Sequence, residues 1–199
     1  MRQVQACALT GRSHLWQAED LSGFAWGQYG GSLKRAIAAL KYNAQPALAQ
    51  PLGHWLGQAW LATPQSLHNA QVMPIPMHPA KQKERGFNQA ELLAEAFCQV
   101  TRLPLERRGL VRVRATAAQF GLSELARSEN LKGAIQLHPA LLQRKRPPHS
   151  MRPVILLDDI YTTGATVRAA AQALQQQGIP VWGVVAIAKT ISDRPAHLS

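Results

Sequence analysis

Cysteine is scarce in this sequence, with only Cys7 and Cys98 among 199 residues. Two thiols so far apart offer no disulfide framework, and their small number favours a reducing compartment. Together with seven scattered histidines they supply no four-ligand set at usable spacing. We therefore expect no structural zinc.

Long apolar stretches are also missing. No apolar run approaches the roughly 18 residues that indicate a membrane-spanning helix. The N-terminal segment has Arg2 but no apolar core of adequate length before the polar GRSH stretch, which argues against a secretory signal. We expect a cytoplasmic protein without membrane insertion.

Acidic residues are half as frequent as basic ones, 11 against 22, which gives a formal net charge of +11. Such a charge favours an anionic partner, either nucleic acid or a phosphorylated small molecule. The basic residues concentrate around predicted loops, although the last of three clusters is equally explained by a solvated surface. The clusters are Lys81, Lys83 and Arg85; Arg107, Arg108, Arg112 and Arg114; and Arg144, Lys145, Arg146 and Arg152.

Helical and strand patterns alternate along the chain. Helices are predicted from a cap at Ser32, after Pro46, from a reciprocal cap by Asn88 and Glu91, and from Thr166. Strands are predicted near 72–75, 110–113, 154–157 and 181–187. This order predicts an α/β fold with a mainly parallel sheet flanked by helices. The hydrophobic content of 46% suffices for one compact domain.

The most informative segment is VILLDDIYTTGAT, from Val154 to Thr166. Its apolar start is typical of a strand covered on both faces, and Asp158 and Asp159 follow at the strand end. The small, hydroxyl-rich turn then opens a helix, so its backbone N–H groups can bind a phosphate. The two carboxylates suit vicinal sugar hydroxyls, or water around Mg²⁺. A sugar phosphate would use both halves of the segment.

Two other phosphate-binding motifs are excluded. A P-loop requires G-x-x-x-x-G-K-[ST], and no lysine follows Gly164. The G-x-G-x-x-G of a dinucleotide-binding fold is also missing. Neither an NTPase nor a dinucleotide-binding protein is indicated.

The same segment resembles the phosphoribosyl-pyrophosphate (PRPP) motif of type I phosphoribosyltransferases. Three further segments, YGGSLKRAIAALKY, PIPMHPAKQKERGFNQAELLA and RVRATAAQFGLSELARSENLKGAI, narrow the resemblance to the ComF family of competence-associated, phosphoribosyltransferase-like proteins. The resemblance implies a type I phosphoribosyltransferase-like domain over 29–199. It also implies that 1–28 is an N-terminal segment or remnant of the acceptor-binding hood, with the zinc module of the family absent.

Site roles are also implied by the resemblance. Asp158 and Asp159 would hold the ribose hydroxyls, with Mg²⁺ bound together with PRPP. The 5-phosphate would lie on Thr162, Thr163, Gly164, Ala165 and Thr166. The loop HPAKQKERGFNQ would bind pyrophosphate through Lys83, Arg85, Gly86 and Asn88. A flexible loop over 112–130 would close on the ligand, with Arg112, Arg114, Thr116, Gln119 and Arg127 as its polar residues. Lys41 matches a family position but has no assigned role.

The resemblance implies a transferase, more narrowly a glycosyltransferase, that moves a phosphoribosyl group from PRPP to an unknown nitrogen acceptor. The alternative is a non-catalytic member that binds PRPP, single-stranded DNA or a DNA-uptake protein during natural transformation. Five tryptophans are available for base stacking, but most lie in apolar periodic segments typical of a core. Oligomerisation is compatible with either hypothesis.

Overall fold

The computed structural model describes residues 13–18, 21–42, 45–64, 66–114, 133–143 and 151–190 of the 199-residue chain. Its strands are β1 (His14–Ala18), β2 (Leu21–Gln28), β3 (Gln71–Pro74), β4 (Leu110–Arg112), β5 (Ile135–Leu137), β6 (Val154–Tyr161) and β7 (Val181–Lys189). Its α-helices are α1 (Gly31–Tyr42), α2 (Ala49–Leu61), α3 (Pro79–Arg85), α4 (Gln89–Thr101), α5 (Pro139–Leu142) and α6 (Ala165–Gln175). A short 3₁₀ helix, Pro46–Leu48, precedes α2.

The main sheet has the strand order β1-β2-β7-β6-β3. The β2–β7, β7–β6 and β6–β3 pairs are parallel, and the edge strand β1 runs antiparallel to β2. Strands β4 and β5 form a separate antiparallel pair. The predicted α/β fold with a mainly parallel sheet flanked by helices is therefore confirmed.

Two apolar layers cover the sheet, as the alternation of side chains along β6 requires. Ile155 and Leu157 face a cluster that includes residues of α1, α2 and α4. Val154 and Leu156 face the other side, where residues of α6 pack. The apolar run of β6 is therefore buried on both faces, as its sequence predicted.

Helices α2 and α4 approach each other closely because α2 presents glycine to α4. A Cβ atom placed on Gly53 would lie 2.6 Å from the Leu93 carbonyl oxygen, and one on Gly57 would lie 2.9 Å from the Val100 Cβ atom. Neither position has room for a side chain without a backbone shift. This contact fixes α4, whose N-terminus forms part of the candidate site.

Several boundaries differ from the predicted ones. Helix α1 begins at Gly31, so Ser32 lies inside it, and its hydroxyl accepts a hydrogen bond from Arg35. Strand β6 continues to Tyr161, four residues past the predicted end, because it stays paired with β7 up to Lys189. The segment expected as an N-terminal piece or hood remnant supplies β1 and β2 to the main sheet. The boundary between 28 and 29 stays a prediction.

Within the described ranges, no helix has the combined length and apolarity that spanning a bilayer takes.

Candidate functional site

Asp158 and Asp159 lie in the second half of β6, so they belong to the strand and do not follow it. The Asp159 N–H donates to Oδ1 of Asp158 at 2.8 Å. Asp159 continues the side of the strand that carries Ile155 and Leu157, which faces α1. The acidic pair is thus held by the sheet, as expected, near its carboxyl edge.

Lys41, in the last turn of α1, makes an ion pair with this acidic pair. Its Nζ lies 2.9 Å from Oδ2 of Asp159, and the two side chains are only 19% and 10% exposed. Sequence reasoning left Lys41 without a role, but one signal was available. Lys41 is four residues after Ile37 and so lies beside the buried stripe of α1, where an exposed lysine is not expected.

Burial and charge shift the pKa values of these groups. Burial, followed by the charge of Asp159, raises the pKa of Asp158 to about 7, against the opposing effect of Lys41. Burial disfavours the Lys41 ammonium, but the neighbouring carboxylates outweigh that effect and its pKa is raised. Burial lowers the pKa of Arg112, partly offset by Asp158. The pKa values of Asp158, Lys41 and Arg112 therefore depend on the charges of their neighbours in this cluster.

A cleft of about 240 Å³ opens beside the acidic pair. Its walls come from the end of α1, the segment that follows β3 and continues into α3, the start of α4, strands β4 and β6, and the first turn of α6. The lining residues are Lys41, Tyr42, Ile75, Pro76, Met77, His78, Lys81, Arg85, Asn88, Gln89, Ala90, Arg112, Asp158, Asp159 and Thr166. Residues from three of the predicted site segments therefore meet at one cavity.

The expected pyrophosphate loop is largely a helix, which corrects the prediction. His78 accepts a hydrogen bond from the Ala80 N–H, Pro79 takes the first helical position, and α3 runs to Arg85. Gly86, with φ of +84°, ends this helix and does not begin the next one. The prediction failed because the residues of α3 are mostly charged and give no apolar periodicity.

Arg85 is fixed from two sides at the cleft. It donates to Oε1 of Gln89 at 2.7 Å, and its guanidinium lies 5.3 Å from the centre of the exposed Tyr42 ring. Lys83 is exposed and does not line the cleft, and neither does Gly86. Of the four predicted pyrophosphate ligands, the cleft is lined by Arg85 and Asn88.

Asn88 uses both ends of its amide within the protein. Its Oδ1 accepts from the Ala90 N–H at 3.1 Å as the N-cap of α4, and its Nδ2 donates to the Ile75 carbonyl at 3.1 Å. The predicted cap is confirmed at Asn88. In this arrangement Asn88 positions the loop after β3 instead of offering its amide to a ligand.

Gln89 is a site residue that sequence reasoning missed. It is 2% exposed, lines the cleft, and its Nε2 has no hydrogen-bond partner in the described part of the protein. A buried amide donor without an acceptor is costly unless something supplies one. The available signal was its place directly after a capping asparagine, at the start of a helix.

The expected phosphate-binding turn precedes α6. Gly164 has a φ of +77°, and Thr163 Oγ1 accepts from the Ala165 N–H at 3.4 Å. A Cβ atom on Gly164 would meet the Tyr161 hydroxyl and would lie 2.9 Å from Nη1 of Arg168. Of the five predicted residues only Thr166 lines the cleft; Thr162 is exposed, and Ala165 is buried.

Of the predicted flexible loop over 112–130, the structure describes residues 112–114. Arg112, in β4, lines the cleft, whereas Arg114 is exposed. The Val113 N–H donates to the Ala134 carbonyl, and β4 pairs with β5. Thr116, Gln119 and Arg127 lie outside the described residues.

The acidic pair does not fit a divalent metal held by the protein itself. Mg²⁺ needs near-octahedral oxygen coordination at about 2.0–2.1 Å. Oδ2 of Asp159 already contacts an ammonium group, and Oδ1 of Asp158 accepts the Asp159 N–H. In the described ranges no group of three His, Cys, Asp or Glu side chains is arranged to hold a metal ion. The expected absence of structural zinc stays a prediction.

Comparison with known proteins gives the following similarities. No family model matches the chain. It is 35% identical over 116 residues to Competence protein F of Haemophilus influenzae, covering 57% of this chain and 48% of that protein. It is 31% identical over 156 residues to DNA utilization protein YhgH of Salmonella typhi, covering 75% and 65%. It is 34% identical over 107 residues to Competence protein ComFC of Bacillus subtilis, covering 54% and 39%.

The chain spans about half the length of most of the curated relatives it matches. Two solved structures are also similar. The allosteric regulatory enzyme of purine biosynthesis matches with a TM-score of 0.46 at 17% identity, over 75% of this chain and 29% of that one. Adenine phosphoribosyltransferase from Saccharomyces cerevisiae matches with a TM-score of 0.42 at 11% identity, over 96% and 98%.

Proposed function

On the premise that the chain belongs to the ComF family, we propose that it binds PRPP in the cleft beside Asp158 and Asp159. We further propose that it transfers the phosphoribosyl group to a nitrogen acceptor. One observation carries the proposal: the carboxylates of Asp158 and Asp159, the Thr166 side chain at the start of α6 and several cations from separate elements line a single cavity of about 240 Å³.

Each part of PRPP can be matched with residues that line the cleft. The carboxylates of Asp158 and Asp159 are acceptors for the vicinal ribose hydroxyls. Thr166, in the first turn of α6, offers a hydroxyl and the positive end of the helix dipole to the 5-phosphate. Lys81, Arg85 and Arg112 line the same cavity and suit the diphosphate. The expected Mg²⁺ would arrive bound to the diphosphate.

The chemistry is a displacement at C1 of the ribose. The C1–O bond to diphosphate breaks as a C1–N bond to the acceptor forms, and the acceptor nitrogen releases its proton to solvent. Positive charge grows on the sugar and is stabilised by the carboxylates. Negative charge grows on the diphosphate and is stabilised by Arg85 and the neighbouring cations. The protein thus acts through groups already fixed by β6, α3 and β4.

The experiment is a thermal shift measurement with PRPP and Mg²⁺. We expect PRPP to raise the melting temperature, and the double variant Asp158→Asn with Asp159→Asn to lose that shift while remaining folded by circular dichroism. Glu95→Gln is the matched control, since Glu95 pairs with Arg107 away from the cleft. An unchanged melting curve of the wild-type protein at millimolar PRPP would refute the proposed site.

Whether catalysis occurs is tested separately. We expect diphosphate release to depend on adding an amine or nucleobase from a broad acceptor panel. If PRPP binds but no acceptor causes diphosphate release, the result would favour a non-catalytic PRPP-binding protein.

A second candidate function is a cytoplasmic factor for DNA uptake that binds single-stranded DNA or another uptake protein. The excess of 22 basic over 11 acidic residues favours it. The names of the relatives, which include competence and DNA utilization proteins, point in the same direction. We expect its DNA affinity to fall steeply with salt concentration. No measurable binding at low salt would rule this candidate out.

A further inference from the structure

We infer that Lys41 is the built-in cation of the acidic pair, so that the sugar hydroxyls meet an ammonium–carboxylate pair and not a metal ion held by the protein. The inference rests on the proposed function for its ligand, but its central claim concerns the protein alone. Lys41, which had no role assigned from the sequence pattern, thereby becomes part of the ligand-binding surface.

The position of Lys41 is the first argument. Its Nζ is 2.9 Å from Oδ2 of Asp159, a charge-assisted hydrogen bond, and both groups line the cleft. A divalent ion bound to the same carboxylate oxygen would have to displace this ammonium group or lie against it. Metal binding by the pair therefore competes directly with Lys41.

The anchoring of α1 is the second argument. Leu33, Ile37 and Leu40 are at most 1% exposed and hold the helix against the sheet. Lys41 follows directly in the last turn, where a cation is favoured by the helix dipole. Its ammonium is brought to Asp159 by a packed helix, so little side-chain freedom remains to be lost when a ligand binds.

The charge of the cleft is the third argument. Lys41, Lys81, Arg85 and Arg112 give four formal positive charges, against two negative charges from the acidic pair. The cavity therefore carries a net positive charge without any metal. An anionic sugar phosphate needs no additional cation to enter it.

The ammonium–carboxylate pair is also suited to a diol. Each ribose hydroxyl can donate to a carboxylate oxygen and accept from one of the two N–H groups of Lys41 that are not engaged with Asp159. The pair thus satisfies both capacities of a hydroxyl group. A carboxylate pair alone would satisfy only the donors.

The first experiment uses Mn²⁺ alone, detected by electron paramagnetic resonance. We expect Lys41→Met to bind Mn²⁺ at least about tenfold more tightly than the wild-type protein, because the competing ammonium is gone. Lys41→Arg keeps the charge and should behave like the wild type. The matched control is Lys34→Met, a lysine of the same helix that lies over the Tyr29 ring and does not line the cleft.

Equal Mn²⁺ affinity in wild type and Lys41→Met overturns the inference, and so does a lack of binding by both. The second experiment needs only the wild-type protein, should Lys41→Met fail to fold. It measures binding of ribose 5-phosphate, which has no diphosphate to carry a metal. We expect affinities within about threefold in Mg²⁺ and in EDTA. Binding that requires Mg²⁺ overturns the inference.

The two proposals fail in different ways. If ribose 5-phosphate and PRPP do not bind in either buffer, the proposed function is wrong. The Mn²⁺ measurement still decides whether Lys41 excludes a metal from the acidic pair.

Discussion

Arg85 and Gln89 join two consecutive helices through one hydrogen bond, in which Nη1 of Arg85 donates to Oε1 of Gln89 at 2.7 Å. The bond connects the last residue of α3 with the first residue of α4 across the turn at Gly86. Because Oε1 of Gln89 accepts from Arg85, the amide nitrogen of Gln89 is directed away from Arg85. There Nε2 is buried, with no hydrogen-bond partner among the residues that the structure describes. A ligand oxygen in the cleft is the natural acceptor for it.

Replacing Gln89 by Met should raise the free energy of unfolding by about 0.5–1 kcal/mol, since relief of the buried donor outweighs one partly exposed hydrogen bond. The same variant should bind PRPP more weakly, because Arg85 loses its anchor. Urea denaturation and calorimetry measure the two effects. Gln99→Met is the control, since Gln99 is exposed and bonds to His54. A less stable Gln89→Met variant would contradict the proposed cost of the orphan amide.

Stability should fall as pH rises through neutrality because of Asp158. A carboxyl group whose pKa rises from 3.8 when unfolded to about 7 in the fold binds its proton more tightly in the native state. Its contribution to stability is therefore complete at low pH and lost as pH rises through about 7. Between about pH 5 and pH 8 we expect the wild type to lose about 2–3 kcal/mol relative to Asp158→Asn. Parallel curves for the two proteins in urea titrations would refute this.

Gly164 should tolerate no side chain. Alanine there must adopt a φ of +77° and meet the Tyr161 hydroxyl, so we expect a loss of about 1–3 kcal/mol in the free energy of unfolding. Gly30→Ala is the matched control, because nothing lies within 4 Å of its added Cβ atom. Chemical denaturation of both variants gives the comparison. Equal stability of the two would show that the turn before α6 can rearrange.

We expect substitution of Asn88 to lower the stability of the fold, because Asn88 bonds within the protein and not to the ligand. Asn88→Ala removes the cap of α4 and leaves the Ile75 carbonyl without its donor, which should cost about 2 kcal/mol. Asn88→Asp keeps the capping oxygen but loses the Nδ2 donor. Its free energy of unfolding in urea denaturation should therefore lie between those of the wild type and Asn88→Ala. If both variants keep wild-type stability yet lose PRPP binding, Asn88 contacts the ligand directly.

The parts of the fold that could be predicted are those with a local signal. Val154–Leu157 is apolar throughout, and the strand is buried on both faces as that pattern indicates. The buried stripe of α1 and the capping role of Asn88 can also be predicted from residues a few positions apart in the sequence. These features can be predicted without knowing which element packs against them, as long as the packed surface is apolar.

Other features depend on partners far away in the chain. Lys41 and Asp159 are separated by more than a hundred residues, and only the packing of α1 on the sheet brings them together. Helix α3 lacks an apolar face, so its sequence reads as a charged loop. Strand β6 continues past the acidic pair because β7 offers backbone partners there, which a pattern within β6 alone does not reveal.

The pairing of β2 with β7 has a consequence for synthesis on the ribosome. β2 lies near the start of the sequence, yet its parallel neighbour β7 ends at Lys189. Ladder bonds from Ser22 to Gln28 cannot form until that late segment has left the exit tunnel. A nascent chain halted before residue 181 should therefore expose Phe24 and its neighbours to chaperones, however well its earlier helices have formed.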